Sequence, residues 1–319
     1  MIKKERKKPL KVISLEAILG RLPLNYQNRP YIEDELGKAM AGWRGEQAID
    51  FHLSFLPKEQ TMILHDLRLE DNENRFFQID TVLLSSKFHL ILEVKNMAGT
   101  LYFNNDPQQL VQKLNNEEKA YQCPILLVER QRLQLQTFLK KFQIPEVPIL
   151  TLVVISHANS VIKFAPNFYK AKQCVIHAAA IPDKISGIKA PFKNEILSQK
   201  ELKKAARILV KNHQPLNKDY LEHFNIPKSD ILPGVHCPKC RNLPMERKRG
   251  YWLCPSCQHS SKNAHIAAIY DYSLLINSKI TNQAIREFLH LQSIFATTKL
   301  LNSLNLKKEG QFKGRSYFL

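Results

Sequence analysis

Apolar positions in the first half of the chain fall into short blocks that alternate or run together, broken at intervals by a helical repeat. Met62–Leu69 (MILHDLRL), Phe76–Leu84 (FFQIDTVLL) and Phe88–Val94 read as strands. The last two flank the polar turn Ser85-Ser86-Lys87 and so predict a β-hairpin. Shorter strands are expected at Leu101–Phe103 and near Gln109–Leu114, around a turn at Asn104–Pro107. Ile149–Ser156 (ILTLVVIS) has the unbroken apolar character of a strand covered on both faces, and Gln173–His177 reads as another strand. Ile32, Leu36, Met40, Trp43, Ala48 and Leu53 recur at near-helical spacing from Pro30 to about Leu56. A second helix follows Pro124 (ILLVERQRLQLQTFLKKF), with Lys140 and Lys141 in its last turn where the helix dipole favours cations, and a basic helix spans roughly Asn194–Lys211. The pattern is that of an α/β domain.

Three polar residues interrupt the apolar blocks: Asp80 in one arm of the hairpin, Glu93 and Lys95 in the other. A turn centred between Ser86 and Lys87 sets Asp80 directly opposite Glu93, with Cβ atoms roughly 4.5–5.5 Å apart. Alternation of side chains then points Glu93 and Lys95 the same way. Two facing carboxylates repel unless one is protonated or a cation lies between them. A hard divalent ion, Mg²⁺ or Mn²⁺, suits such a pair, with water and a phosphate completing its shell. Lys95 beside it can orient or deprotonate water, or neutralise charge on the phosphate. On the first helix, Gly42 and Gly45 weaken helical propensity, which close packing would explain, and Gly45 immediately precedes the polar Glu46.

Composition adds a partner class. The chain has 319 residues, enough for two or three units, and 44% apolar residues, enough for real cores. No run approaches the ~18–20 apolar residues of a membrane span. The N-terminus is basic (Lys3, Lys4, Arg6, Lys7, Lys8, Lys11) without the apolar core of a signal peptide, and reads as a solvated arm or a phosphate-contacting one. A formal charge of +18, from 47 Lys+Arg against 29 Asp+Glu, favours a polyanion: nucleic acid first, an anionic membrane second. Six cysteines, four of them in CxxC pairs, suit a reducing compartment, hence a cytoplasmic location, and a metal site rather than a disulfide framework.

That metal site lies in the C-terminal half, beyond a Pro-, Asn- and charge-rich stretch, 212–235, that reads as a linker. In HCPKCRNLPMERKRGYWLCPSCQHS, Cys237 and Cys240, then Cys254 and Cys257, form two knuckles able to close a tetrahedral Zn²⁺ site with a β-hairpin between them. Four thiolates fill the shell, so the ion is structural. Arg241, Arg247, Lys248 and Arg249, with Tyr251 and Trp252, either grip phosphate and stack on bases or pack the ribbon. From Thr281, a plausible N-cap, two short amphipathic helices precede a basic hairpin with Lys307, Lys308, Lys313 and Arg315. This layout resembles a helix-turn-helix with a wing, which contacts DNA; a helical cap on the ribbon is the other reading.

The order of Gly45-Glu46, Gln78-Ile79-Asp80, Glu93-Val94-Lys95-Asn96 and Gly99 resembles the nuclease-related domain (NERD) family of the PD-(D/E)xK nuclease superfamily, over about Ala41 to Ser156. The resemblance implies a restriction-endonuclease-like fold, a mixed central sheet flanked by helices. It makes Glu46, Asp80 and Glu93 candidate metal-binding or metal-organising carboxylates and Lys95 the catalytic lysine. The expected domains are an arm (1–28), a nuclease-related domain (29–211), the linker, a ribbon (236–262) and a helix-turn-helix-like segment (263–319). The expected function is metal-dependent hydrolysis of DNA, in processing or repair. The chain departs from the family where Asn-Pro and, three positions later, Gln are usual: here stand Cys123-Pro124 and Leu127. On that departure rests the alternative, a nucleic-acid-binding protein that keeps the fold without turnover.

Overall fold

Each apolar block of the first half is a strand in the computed structural model, which describes residues 1–57, 61–311 and 314–318. The chain divides into two units, one of Met1–Pro9 with Lys38–Leu216, the other of Leu10–Gly37 with Asn217–Leu319. In chain order come β1 (Ile2–Lys4), α1 (Leu10–Arg21), α2 (Arg29–Leu53), β2 (Met62–Glu70), β3 (Phe76–Leu84), β4 (His89–Lys95), β5 (Thr100–Asn104), β6 (Gln109–Leu114), β7 (Glu117–Gln122) and α3 (Pro124–Lys141). The first unit continues with β8 (Ile149–Ile155), β9 (Val161–Phe164), α4 (Tyr169–Cys174), β10 (Val175–His177), α5 (Ile181–Lys189) and α6 (Gln199–Lys211).

The main sheet of this unit runs β1-β2-β3-β4-β8-β10. It is mixed: β2, β3 and β4 are antiparallel neighbours, while β1 lies parallel to β2 and β8 lies parallel to both β4 and β10. Alternation splits its side chains between two cores. Leu83, Leu90, Leu92 and Val94 pack with Ile49 and Leu53 of α2 and Ile185 of α5. Val82, Leu84 and Ile91 pack with Leu135 and Phe138 of α3 and Leu202 and Leu209 of α6. Each such fully buried aliphatic side chain contributes about 1.5–3 kcal/mol. A second sheet, β7-β6-β5-β9, carries the turn after β5 expected from the sequence. Its edge strand β7 is exposed along its whole length, so no apolar alternation marked it. The β6–β7 turn is Asn115-Asn116, both with positive φ, as tight hairpins require.

Three stretches differ from the sequence reading. The basic N-terminus is ordered rather than a free arm, although Lys3 and Lys7 stay exposed: Ile2–Lys4 pair with β2, and Lys4 Nζ donates to the His65 and Asp66 carbonyls at 2.8 and 3.0 Å. Lys4 and Arg6 meet acceptors in the fold. Only Val175–His177 of the stretch from Gln173 is strand, because α4 runs through Cys174. The 212–235 stretch carries the chain from the first unit to the second at Leu216–Asn217, but from Tyr220 on it packs, burying Tyr220, Leu221, Phe224, Ile226, Ile231 and Val235.

That unit contains α7 (Tyr220–His223), β11 (Glu246–Arg247), β12 (Trp252–Leu253), β13 (Ser260–Ser261), α8 (His265–Leu275), β14 (Ile280–Thr281), α9 (Asn282–Phe288), α10 (Ile294–Ser303), β15 (Lys307–Glu309) and β16 (Ser316–Phe318). Antiparallel β11-β12-β13 form one small sheet, β14-β16-β15 another. Thr281 caps α9, its Oγ1 accepting from Ala284 N at 3.2 Å. Arg21 of α1 is fully buried, bonded to Asp271 at 2.8 Å and to the Leu232 carbonyl, with its guanidinium 4.7 Å from the Phe288 ring. Among the described residues no helix is long and apolar enough to cross a membrane.

Candidate active site and metal centre

The hairpin has the register that places its acids together. Thr81 pairs with Leu92, Val82 with Ile91, Leu83 with Leu90 and Leu84 with His89, which centres the turn between Ser86 and Lys87. One step further along, Asp80 stands at the level of Glu93. There the ladder gives way to a side chain, because Asp80 Oδ2 accepts from the Val94 backbone N–H at 2.8 Å. On the other side of β3, the ladder pairs His65 with Thr81 and Leu67 with Ile79 and skips the level between them, where Asp66 faces Asp80. Asp66 has φ 51°, a left-handed conformation that aspartate tolerates better than most residues. Asp66, Asp80 and Glu93 therefore form one row across β2, β3 and β4.

Two helices complete the arrangement. α2 brings Glu46 and Asp50, four residues apart and on one face. Gly45 makes its approach possible, since a Cβ there would lie 2.4 Å from Asn96 Cβ and 2.7 Å from Ser156 Oγ. From α3 comes Gln131, buried at 3% exposure, whose Nε2 donates to Glu93 Oε2 and to the Gln78 carbonyl, both at 2.8 Å. Lys95 Nζ donates to the other Glu93 oxygen at 2.7 Å, as their shared face requires. So the amide absent at Leu127 reaches the site from one helical turn further on. A cleft of about 700 Å³ opens here, lined by Asp80, Glu93, Gln78 and Gln131 with Arg75 and Arg130.

Charge in the row is only partly compensated. Burial, then the Glu93 carboxylate, pushes Asp80 up to about 7. Burial, then Asp80 and Asp66, pushes Glu46 up to about 8. Burial opposes the charge on Lys95, but Glu93, its hydrogen bond, Asp80 and Glu46 outweigh it and hold the amine above its ordinary value. A second cation, Arg6, has a side chain only 4% exposed. It meets Glu46 at 2.7 Å, Asp50 at 3.2 Å and Asp66 at 3.3 Å, and donates to Thr81 Oγ1 and His65 Nδ1 at 3.0 Å. Burial, then Arg6, lowers His65 to about 4, so it is neutral and can accept.

A hard divalent ion fits Asp80 and Glu93. They are close, buried and mutually repelling, and among the described residues Gln131 Oε1 is a buried acceptor without a partner, available to a water in the ion's shell. The donors do not form a closed cage: among the described residues, only four cysteines bring three or more ligating side chains within 4.8 Å of one another. Two carboxylates with open positions are what Mg²⁺ or Mn²⁺ uses beside a phosphate.

Those cysteines are Cys237, Cys240, Cys254 and Cys257. Sγ atoms lie 3.6 Å apart for Cys237 and Cys257 and 3.5 Å apart for Cys240 and Cys254. A tetrahedron with Zn–S near 2.3 Å has edges of ~3.8 Å, so the cluster can hold a structural metal such as zinc. Trp252 is fully buried, donating to His265 Nδ1 at 3.2 Å, and the Arg247 guanidinium lies 5.1 Å from its ring. Both belong to the ribbon's packing. Lys248 pairs with Glu246 and Lys307 with Glu309, each at 2.8 Å, while Arg249 and Lys308 are exposed and Arg315 is half-buried. Lys313 lies outside the described residues.

Sequence reasoning missed Arg6, Asp50, Asp66 and Gln131. Two had a signal: Asp66 is an acid inside an apolar strand, and Gln131 occupies the apolar stripe of α3 between Val128 and Leu135. Arg6 had none, being one of several cations in a row.

Residues 41–156, just over a third of the chain, match the nuclease-related domain (NERD) family, and the segment contains the acid row, Glu46, Lys95 and Gln131. No curated protein and no solved structure matches the chain.

Proposed function

We propose that the chain is a metal-dependent nuclease that hydrolyses phosphodiester bonds in DNA. The observation that carries this reading is the meeting of Asp80, Glu93 and Lys95 in register on adjacent strands, beside a cleft edged by Arg75 and Arg130. Asp80 and Glu93 would hold Mg²⁺ or Mn²⁺, an ion that would supply polarisation of the scissile phosphate and a more acidic bound water. Gln131 fixes Glu93 and offers Oε1 to a water. Lys95 stays protonated at neutral pH and neutralises charge that builds on the phosphate. Glu46 organises the row through Asp80 and Asp66. Zn²⁺ on the four cysteines would staple the second unit, whose exposed Arg249 and Lys308, together with Lys248, Lys307 and Arg315, would grip the DNA backbone.

Binding without turnover is supported by Leu127, but Gln131, one helical turn on, supplies an amide to Glu93. Incubating plasmid and linear DNA with the protein and Mn²⁺ or Mg²⁺ tests the choice. Cleavage that disappears in a folded Lys95→Ala variant supports hydrolysis. Salt-sensitive binding with no cleavage under any divalent ion supports the alternative.

A further inference from the structure

Arg6 lies outside the segment that matches the nuclease-related family, yet it is the most heavily engaged side chain at the acid row. Its planar guanidinium has five N–H donors, and they reach three carboxylates, a hydroxyl and a neutral imidazole. The acids fall into two groups. Asp80 and Glu93 line the cleft, bonded to the Val94 N–H, Lys95 and Gln131. Glu46, Asp50 and Asp66 surround Arg6. Without that guanidinium, three partly buried acids from α2 and β2 would be left beside Asp80 with no cation among them, a charge that a divalent ion would relieve.

We propose that Arg6 is the built-in cation of the inner half of the site. It stands where a second divalent ion would otherwise be drawn, so the site takes one ion, on Asp80 and Glu93. Arg6 is thus a positioning residue: it sets the ion count and the seat of Glu46 without touching substrate. This rests on the reading of Asp80 and Glu93 as the ion-holding pair.

The test is an ion count on the full chain with zinc on its cysteines, by titrating Mn²⁺ and following the free ion by electron paramagnetic resonance. Mn²⁺, a weak competitor for thiolates, leaves the cysteine site alone. The wild-type chain should bind one Mn²⁺, abolished in Asp80→Asn. Arg6→Gln should bind two, and Arg6→Lys, which keeps the charge, should return to one. Adding Asp66→Asn to Arg6→Gln should remove the second ion. Two ions in the wild type overturn the assignment of Arg6 whether or not the variants fold, as does a folded Arg6→Gln chain that still binds one. No ion in the wild type instead sinks the reading of Asp80 and Glu93. The two failures are therefore told apart.

Discussion

Lys95 and Gln131 each occupy one oxygen of Glu93, and their removal should have different signatures. On the proposed mechanism Lys95→Ala removes the charge that would face the phosphate, so cleavage should fall about a hundredfold or more while Mn²⁺ binding persists. Equal cleavage by the folded variant would remove Lys95 from the chemistry. Gln131→Leu strips a donor from a buried carboxylate and a buried carbonyl. Thermal or denaturant unfolding should register a loss of about 1–3 kcal/mol, with cleavage reduced alongside. Asp80, Glu93 and Lys95 were legible because charge inside an apolar strand stands out against its surroundings. Gln131 was passed over because a glutamine on a helix is ordinary until its position on the apolar stripe is counted. Arg6 could not be found at all, since its partners are tens of residues away and only the fold brings them together.

At the scale of elements, β4 carries a second buried polar residue, His89, fully enclosed and with both ring nitrogens unpartnered among the described residues. Burial lowers its pKa from 6.5 to about 4. The folded chain therefore keeps His89 neutral while the unfolded chain takes up a proton below pH 6.5. The stability this difference contributes is whole above pH 6.5 and drains away as pH falls to 4, by up to about 3 kcal/mol. His89→Leu should flatten the fall between pH 6.5 and 4 in denaturant melts; an unchanged slope would mean the ring is not held neutral. The approach of α2 to the end of β4 depends on Gly45. Gly45→Ala must displace the helix or Asn96, at a cost of about 1–3 kcal/mol, and should reduce cleavage by shifting Glu46. Strands with alternating or continuous apolar residues were readable. β7 was not, because an exposed edge strand has no buried face to write a pattern, and α4 was not, because six residues are too few for a helical repeat.

At the scale of the molecule, the acid row and the cysteine cluster lie in different units, and a chelator should separate their proposed ions. Stripping the cysteine metal should expose Trp252, whose burial depends on the small sheet that the knuckles hold. In a Trp43→Phe background the fluorescence of Trp252 should shift to the red, while the Mn²⁺ count of the acid row, measured after the chelator is removed, stays the same. Unshifted emission would mean the ribbon folds without its ion. The cysteine spacing made this unit easy to anticipate. The packing of 212–235 was hidden because its apolar residues are scattered among prolines and charges and follow no period.

The Ser85–Lys87 turn is pinned at several points. Ser85 Oγ donates to the Phe88 carbonyl and accepts from the Phe88 N–H, and the Ile196 and Leu197 N–H groups donate to the Ser86 carbonyl. Its length is therefore an active-site parameter as much as any side chain. One residue inserted there would slide Asp80 past Glu93 and silence the protein with every functional group still encoded. The same insertion at Asn115-Asn116, in a hairpin away from the acid row, should leave cleavage unchanged. For this fold, tolerance of insertions should mark out the proposed site as clearly as tolerance of substitutions.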